Sequence, residues 1–468
     1  MQVENGKAKN LKIAYIGGGS RGWARGLMSD LAVEERLSGD IYLYDIDYAA
    51  AKDNETIGNM FKNVEGNVSS WKYHAVKTPK EALINADFVV ISILPGTFDE
   101  MESDVHAPEE YGIYQTVGDT VGPGGIVRSM RTIPMFKEIA LYIKEYCPNA
   151  WVINYTNPMA VCIRTLYEVF PKIKAYGCCH EVFGTQELIA QIYNQRHNTT
   201  LCRDDIDVNI VGINHFTWVN KASYKGEDLL PLVKEYAKAN PSGCFAEDKN
   251  WMNKAFKTNQ AVKFNLLLRY GILGAAGDRH LVEFCPGNWY LNNPDHLWDK
   301  WKTKLTSVAW RKEDLIKRIK KTQDILSGVE KLKISKTGEV GVLQMVALCG
   351  LEPYVTNVNV PNVGQISNLP QGAIVETNAC FTGNRVTPLT AGEIPDDVQS
   401  LIYRHVVNQN NVVKYTLEGD YEGVFKAFVN DPNVCLPLEK ARELFDKMLF
   451  NTKKYLPDYE KYLQTVKY

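Results

Sequence analysis

Residues 11–22, with the sequence LKIAYIGGGSRG, decide the fold that we expect for the first half of this chain. Their apolar beginning is typical of a buried strand, and three consecutive glycines follow it directly. The residues after the glycines place apolar side chains on one helical face, so we expect a strand, a tight turn and a helix. Glycine in such a turn allows backbone amides to approach a pyrophosphate at the helix N-terminus. The predicted dinucleotide contacts are Gly17, Gly18, Gly19, Ser20 and Arg21.

A carboxylate at the end of the next predicted strand, residues 41–46, supports this interpretation. Asp45 lies about where a carboxylate accepts hydrogen bonds from the adenosine ribose hydroxyls. The same negative charge disfavours the extra phosphate of NADP, so we expect NAD. Pro95 and Gly96, which end the fourth predicted strand, complete the expected cofactor contacts. The alternative is a tight strand-to-helix turn without a ligand.

The first part of the chain alternates apolar strand-like runs with amphipathic helical stretches, as a doubly wound parallel sheet requires. Residues 78–81, with the sequence TPKE, form a capping box that marks the start of one helix. The predicted strands are residues 11–16, 41–46, 71–76, 87–93, 151–155 and 174–178.

The second part combines longer helical patterns with strands that favour antiparallel pairing. The strand patterns cover residues 207–213, 217–219, 354–360 and 373–378, and the helical patterns lie near residues 251–269, 312–326, 397–408 and 438–453.

These patterns predict an α/β fold in two parts, similar to the lactate and malate dehydrogenases. Residues 1–200 are predicted to form a Rossmann-like NAD-binding domain with a doubly wound parallel sheet. Residues 201–468 are predicted to form an α+β domain with antiparallel strands that binds metal and substrate and mediates oligomerisation. The boundary near residue 200 is soft, so we expect the two parts to share a cleft.

Composition and charge narrow the possible partners and the compartment. The 53 basic and 55 acidic residues nearly balance, which gives no reason to expect nucleic acid or a membrane as partner. No apolar run approaches the roughly 20 residues needed to span a bilayer, and the polar N-terminus lacks a signal peptide. The ten cysteines are scattered without a CxxC pair, which favours reduced thiols in the cytoplasm. We expect a homodimer or homotetramer.

Two motifs after the fourth and fifth strands predict substrate contacts. The run of residues 118–125, GDTVGPGG, contains Asp119 and precedes Arg128, whose guanidinium suits an anionic substrate. Asn154 and Asn157 follow the fifth strand, and their amides can donate to and accept from sugar hydroxyls or a nicotinamide. The alternatives are a mobile surface loop for the glycine-rich run, and a helix cap for the second asparagine.

Two further motifs carry ionisable groups. Cys179 follows the sixth strand, and its thiolate could ligate a metal together with the imidazole of His215. In the run of residues 277–284, GDRHLVEF, Asp278 is a candidate base and Arg279 a candidate anion clamp. The alternatives are a buried small thiol, a structural histidine and a solvated charged loop.

Taken together, the five motifs resemble glycoside hydrolase family 4, the NAD- and manganese-dependent glycosidases. The resemblance runs from Leu11 through at least Glu283, with the motifs in the order of the family. The tetrad Cys-His-Glu-Val at residues 179–182 resembles the version found in α-galacturonidases. Relatives that act on 6-phosphosugars carry other residues after the cysteine, so we do not expect a phosphosugar substrate.

The resemblance implies a role for each matching residue. Cys179 and His215 are expected to hold Mn²⁺ or another divalent metal. Asp278 is expected to remove the sugar C2 proton after NAD has oxidised C3. His180 or Glu181 is expected to protonate the leaving group, and this choice stays open.

The resemblance also implies the outcome of the reaction. After elimination, water adds and the hydride returns, so NAD is recycled within one hydrolytic turnover. Arg128 or Arg279 is the expected partner of a uronate carboxylate. We therefore expect hydrolysis of α-galacturonides such as pectin-derived oligogalacturonides. The alternatives are another family 4 α-glycosidase (an α-glucuronidase or α-glucosidase), a plain NAD-dependent 2-hydroxy-acid dehydrogenase, and a non-catalytic NAD sensor.

Overall fold

The computed structural model describes residues 2–244, 258–287 and 289–465. Within these ranges the strands are β1 (Gln2–Glu4), β2 (Lys7–Ile16), β3 (Leu37–Tyr44), β4 (Trp71–Val76), β5 (Phe88–Ile91), β6 (Trp151–Asn154), β7 (Lys174–Gly177), β8 (Asp207–Ile213), β9 (Phe216–Tyr224), β10 (Glu227–Asp228), β11 (Leu273–Gly274), β12 (Tyr354–Pro361), β13 (Ile374–Thr382) and β14 (Arg385–Pro388).

Six of these strands form the predicted parallel sheet, in the order β4-β3-β2-β5-β6-β7. Starting from β2, the chain first adds β3 and β4 on one side and then β5, β6 and β7 on the other. The sheet is therefore doubly wound, and the predicted fold class is confirmed. The strands differ from the predicted runs by a few residues at their ends. Apolar side chains on both faces of the sheet form two of the hydrophobic clusters of the protein.

The register aligns the carboxyl ends of the parallel strands at one edge. Ile16 pairs with Tyr44 on one side and with Ile91 on the other. Farther along the sheet, Ile91 pairs with Asn154, and Asn154 pairs with Gly177. The segments that follow these residues therefore emerge side by side, where doubly wound sheets bind their ligands.

The antiparallel strands of the second part extend this same sheet. β12 joins the edge strand β7 at the pair Asn359 and Gly177, and β13 and β14 follow it. The antiparallel pairing was predicted, but the sequence pattern did not indicate that these strands continue the first sheet. A separate antiparallel sheet contains β8 to β11.

The helices surround both sheets. They are Trp23–Ala32, Tyr48–Met60, Pro79–Leu83, Phe98–His106, Gly122–Tyr146, Met159–Val169, Glu181–His197, Leu230–Ala239, Ala261–Tyr270, Asp278–Phe284, Pro294–Trp301, Val308–Leu326, Gly341–Leu348, Asp396–Glu418, Tyr421–Asn430, Leu438–Thr452 and Tyr459–Thr465. The first residues of the helix predicted near residues 251–269 lie outside the described residues. In the described part of the chain, no helix combines the length and apolar character needed to cross a membrane.

One predicted loop is helical at its end. The helix Gly122–Tyr146 begins inside the glycine-rich run of residues 118–125, about ten residues earlier than the sequence pattern indicated. A side-chain carbon on Gly125 would lie 2.3 Å from the backbone of Thr120, so the missing side chains allow the turn to close tightly. Tertiary packing thus overrides the low helix propensity of glycine.

Two predicted helix starts have different outcomes. The capping box at Thr78 and Glu81 is present, with each side chain bonded to the backbone of the other residue. Asn157, by contrast, does not cap the next helix, because Pro158 occupies the cap position and the peptide bond between them is cis.

Candidate active site

The glycine loop lies where the sequence predicted it, between β2 and the helix Trp23–Ala32. Gly17 has a φ of 92°, and a side-chain carbon there would lie 2.0 Å from the carbonyl oxygen of Ser92. A side-chain carbon on Gly18 would lie 2.7 Å from the backbone of Leu43. Neighbouring backbone thus demands glycine at both positions, whatever ligand the loop binds. The Gly22 cap offers no side-chain acceptor, although the Trp23 amide donates to the Ser20 hydroxyl at 3.1 Å. An anion bound here would meet the positive end of the helix.

Asp45 lies against the same loop, as predicted. Its carboxylate accepts hydrogen bonds from the amides of Gly19 at 2.8 Å and Asp47 at 2.9 Å. Burial raises the pKa of Asp45, while these two amide hydrogen bonds and the charge of Arg21 oppose the rise. A carboxylate at this strand end is in position to meet a ribose.

Three side chains from distant parts of the chain converge beyond the strand ends. Asp119, His215 and His280 each offer one ligand atom, and these atoms lie within 4.8 Å of one another. The two imidazoles stack with ring centroids 3.8 Å apart. Oxygen and nitrogen donors of this kind suit a divalent first-row metal ion. His215 occupies the turn between β8 and β9 with a φ of 65°, a conformation that is uncommon outside glycine and clusters at functional sites.

Hydrogen bonds decide which imidazole nitrogens can ligate a metal. The Thr120 hydroxyl donates to Asp119 at 2.8 Å, so it accepts from Nδ1 of His215 at 3.0 Å. This leaves Nε2 of His215 unprotonated. Nε2 of His280 lies 3.2 Å from Glu181, and Nδ1 of that ring is buried without a hydrogen-bond partner among the described residues. Both rings are therefore oriented as metal-ligating histidines are in proteins.

Charges around Asp119 hold it ionised. Burial opposes ionisation, but the facing His215, His280 and Arg128 bring the pKa of the Asp119 carboxyl down to about 2. Burial, reinforced by the neighbouring His280, lowers the pKa of His215 to about 3. The cluster thus offers an anionic oxygen and a neutral imidazole, which are the protonation states of metal ligands.

Glu181 lies at the centre of a second set of charges. Its carboxylate accepts from the Gly277 amide at 2.8 Å and lies 3.2 Å from His280, 3.8 Å from His180 and 3.9 Å from Arg279. Burial alone would raise its pKa, but the neighbouring His280, Arg279 and His180 bring it well below the usual range. Glu181 is therefore held as a carboxylate.

His180 lies between two carboxylates. Its Nδ1 is 3.1 Å from Glu339, and its Nε2 faces Glu181. Burial favours the neutral ring, yet the two carboxylates raise the pKa of His180 above its usual value. Between the two candidate acids, His180 is the one whose surroundings favour a transferable proton.

Cys179 is buried beside this cluster but is not one of its three ligands. Its thiol faces Asn214 and Glu376, and burial, reinforced by the carboxylates of Glu376 and Glu181, raises its pKa well above the usual value. The Cys179 carbonyl accepts from Asn357 at 3.0 Å. The structure thus brings His215, but not Cys179, into the group of three.

The chain matches two profiles of one enzyme family over most of its length. "Family 4 glycosyl hydrolase" matches residues 12–195, and "Family 4 glycosyl hydrolase C-terminal domain" matches residues 210–434. The chain belongs to the family 4 glycosyl hydrolases. It is therefore an enzyme, and the resemblance recognised from the sequence is confirmed.

The individual proteins to which this family 4 hydrolase is similar are named as glycosidases. It is 55% identical to an α-galacturonidase of Thermoanaerobacterium saccharolyticum over 97% of this chain and 98% of that protein. The crystal structure of a putative glucosidase, LplD of Bacillus subtilis, is 51% identical, covers 94% of this chain and 100% of its own, and superposes with a TM-score of 0.89. A 6-phospho-α-glucosidase from gut microorganisms in complex with NAD and Mn²⁺ is 20% identical over 96% of this chain and 99% of its own, with a TM-score of 0.80, and supports the fold alone.

The other predicted residues of the hydrolase lie around the cluster. Arg279 is 3.9 Å from Glu181, and Arg128 faces Asp119 while its Nε donates to the Asn157 carbonyl at 3.1 Å. Both guanidiniums are buried at the edge of the cluster, as the predicted role in anion binding requires.

The side chains of Asp278 and Asn154 form hydrogen bonds with backbone groups. The Asp278 carboxylate accepts from the Val262 and Lys263 amides at 3.0 Å each, at the start of the helix Ala261–Tyr270. Burial raises its pKa to about 6, which suits a general base near neutral pH. The Asn154 amide is fully buried and bonds both backbone groups of Thr156. Its sequence-predicted role toward substrate stays a prediction.

Buried polar atoms at this edge fit a ligand. Arg128 Nη1, Asn157 Oδ1, Asn214 Oδ1 and His280 Nδ1 are buried, and each has no hydrogen-bond partner among the residues that the structure describes. Buried polar atoms in proteins are almost always bonded, so four of them around one cluster indicate groups that a metal ion and substrate satisfy. The donors present fit both predicted cofactors.

Sequence analysis missed four residues of the site. His280 lies inside the motif of residues 277–284, and a second imidazole next to Asp278 and Arg279 was the signal that could have found it. Thr120 likewise lies in a motif already singled out. Glu339 and Glu376 carried no local signal, because only the tertiary fold brings them to the cluster.

Proposed function

We propose that this family 4 hydrolase cleaves α-galacturonides, including oligogalacturonides derived from pectin, with NAD and Mn²⁺ or another divalent metal. Its relative from Thermoanaerobacterium saccharolyticum, 55% identical over nearly the whole chain, is an α-galacturonidase. The observation that carries the proposal is the buried cluster of Asp119, His215 and His280 beside two guanidiniums, at the edge where the glycine loop emerges.

The residues present fit both cofactors. The glycine loop, which opens onto the N-terminus of the helix Trp23–Ala32, and Asp45 would hold NAD, and His215, with Asp119 and His280, would hold the metal. Cys179 stays a proposed fourth ligand, because its thiol faces Asn214, the neighbour of His215. When bound, NAD accepts and returns a hydride, and the metal polarises the sugar oxygens beside it.

The side chains divide the remaining work. Arg128 and Arg279 orient the uronate carboxylate, since two buried guanidiniums suit a planar anion. Asp278 is the proposed base for the C2 proton, with a pKa of about 6. His180 is the proposed acid for the leaving group, because Glu181 is held ionised. Asn157 offers a buried amide oxygen to a sugar hydroxyl.

The assembly and compartment are also proposals. We infer a homodimer or homotetramer, which light scattering after gel filtration would measure. We further infer a cytoplasmic enzyme, in keeping with ten cysteines that are all free thiols.

One assay tests the function. The protein is incubated with p-nitrophenyl α-galacturonide or an oligogalacturonide, a catalytic amount of NAD, Mn²⁺ and a thiol reductant. Release of product that requires both NAD and metal, without accumulation of NADH, is the expected result. The α-glucuronide, α-glucoside and α-galactoside run in parallel distinguish the other family 4 specificities.

The dehydrogenase alternative gives a different result in the same assay. A 2-hydroxy-acid dehydrogenase would form NADH in proportion to substrate and would need no metal. The cluster of Asp119, His215 and His280 disfavours this alternative, because such a reaction would leave its buried ligands without a role.

A further inference from the structure

An irregular segment of the second part crosses the first helix of the NAD-binding part. We call residues 335–339 the strap. Ser335 exchanges hydrogen bonds with the hydroxyl of Ser29, at 2.7 and 2.9 Å. Thr337 bonds the Asp30 carboxylate through both its amide, at 2.8 Å, and its hydroxyl. These bonds fix the course of the strap over the helix Trp23–Ala32.

A further bond links the strap, through Arg203, to the helix Glu181–His197 that follows Cys179. The Gly338 carbonyl accepts from Arg203 at 3.1 Å, and the Arg203 guanidinium lies 4.1 Å from the Phe183 ring. The next residue, Glu339, thereby enters the site from outside the first part of the chain. The strap belongs to the irregular connection of residues 327–340 between the helices Val308–Leu326 and Gly341–Leu348, and connections of that length are often functional.

The last residue of the strap contacts the imidazole next to Cys179. Glu339 lies 3.1 Å from Nδ1 of His180, and the two side chains are only 9% and 10% exposed. The opposite nitrogen, Nε2, lies 3.8 Å from Glu181. The Trp23 ring, 6.0 Å from the imidazole, covers it from the side of the glycine loop. His180 is therefore held by a carboxylate on one nitrogen and directs the other toward the charged cluster.

We propose that Glu339 is a positioning residue that orients His180 toward the glycosidic oxygen of the substrate. The inference rests on the proposed function, which assigns His180 as the acid. A histidine in a catalytic site commonly has one ring nitrogen bound by a carboxylate that fixes its orientation. Glu339 supplies that carboxylate from a segment more than 150 residues away in the sequence.

The His180 ring gives up one proton and regains one within each turnover. The imidazolium gives its Nε2 proton to the glycosidic oxygen as the C1–O bond breaks and its electron pair stays on oxygen. The water that later adds to the sugar returns a proton to the ring. Glu339 takes no part in the transfer and holds Nδ1 in both halves of the cycle.

Leaving groups of different acidity test the inference. A saccharide leaving group needs the proton, whereas p-nitrophenolate departs without it. Glu339→Ala is therefore expected to lower kcat for di-galacturonic acid about 10- to 100-fold, part of the 10²–10⁴ typical of general acids. KM should change less than about 2-fold, and kcat for the p-nitrophenyl substrate less than about 3-fold. Glu339→Gln keeps an acceptor oxygen and should restore most of the loss.

Ser29→Ala is the matched control, because it removes the two bonds that hold the strap at Ser335 without touching Glu339 or His180. It should lower the melting temperature but leave the ratio of the two kcat values unchanged. An unchanged ratio in Glu339→Ala would overturn the inference. An equal change of that ratio in Ser29→Ala would also overturn it, since the strap would then act by stability alone.

A second readout separates this inference from the proposed function. In protein labelled with ¹⁵N-histidine, without NAD or metal, the His180 ring resonances should shift in Glu339→Ala and stay in place in Ser29→Ala. Assignment comes from the signal that is missing in His180→Gln. If the wild-type protein does not cleave galacturonides, the proposed specificity fails, and these resonances still decide the inference. No shift in Glu339→Ala would overturn it.

Discussion

The glycine loop and the histidine cluster lie at the same edge of one sheet, but they depend on the sequence in different ways. The loop is a local structure: β2, the turn and the helix Trp23–Ala32 are consecutive in the chain. The cluster combines Asp119, His215 and His280, which lie after β5, between β8 and β9, and in the helix Asp278–Phe284. The predicted cofactor site is therefore visible in a short motif, whereas the candidate metal cluster exists only in the folded chain.

Packing makes a second difference between the two regions. The glycines of the loop are required by backbone that passes within van der Waals distance, so their mutation should disturb folding. The cluster instead contains energetically unfavourable features, namely stacked imidazoles, buried charge and the left-handed backbone conformation of His215. Its mutation should affect chemistry more than stability, as is common where functional sites carry strain.

The largest expected effect is at the cluster. His215→Ala should reduce kcat/KM about a thousandfold, since even outer partners of metal ligands account for about 10- to 100-fold. Metal content after gel filtration, measured by mass spectrometry, should fall with it, while the melting temperature should not. The exposed His197, which stacks on Tyr193, provides the control His197→Ala. A His215→Ala variant that keeps its metal and activity would remove this residue from the site.

The loop should respond mainly in stability. Gly17→Ala places a side-chain carbon 2.0 Å from the Ser92 carbonyl oxygen and forces a φ of 92° on alanine. We expect it to lower the free energy of unfolding by about 3 kcal/mol or more, measured by urea denaturation. Gly6→Ala is the control, because φ there is also positive, at 70°, but no atom lies within 4 Å. It should cost about 1 kcal/mol, and equal losses in the two variants would contradict the packing argument.

A pH-dependent change in stability should follow from Glu376, which lies on β13, one of the strands that the second part adds to the sheet. Burial raises the pKa of its carboxyl to about 7. The native state therefore binds a proton that the unfolded state releases between about pH 4.5 and 7, and the wild type loses stability as pH rises through that window.

Glu376→Gln should remove this loss. In the presence of a chelator, the variant should match the wild type near pH 4 and exceed it by about 2–4 kcal/mol at pH 8. Chemical denaturation at both pH values measures the difference. The exposed Glu393→Gln should show no such dependence, and a Glu376→Gln variant without it would mean that the carboxyl is not buried as described.

The smallest expected effect is at the capping box. Thr78→Ala should cost about 1 kcal/mol, because the Glu81 amide loses its side-chain acceptor. Thr56→Ala, in the exposed middle of the helix Tyr48–Met60, should be close to neutral. Urea denaturation of both variants measures the comparison, and a Thr78→Ala variant as stable as the control would show that this cap contributes nothing.

The predictable part of the molecule is the part in which neighbours in sequence are neighbours in space. The six parallel strands, the capping box and the position of Asp45 were all predicted, and the structure places them as expected. The helix start at Gly122 was predicted about ten residues too late, since propensity excludes glycine but close packing against Thr120 requires it. Asn157 was considered as a helix cap, but Pro158 occupies the cap position.

By itself, the amino-acid sequence determined the doubly wound sheet, the glycine loop and the family, because periodicity and short motifs are local and are read in order along the chain. Only the tertiary structure decided that His280 and Asp119 join His215, that Glu181 is held ionised, and that Glu339 reaches His180. Those properties depend on distances and burial between residues far apart in sequence, and the electrostatic energies that set the protonation states do not exist until the chain has folded.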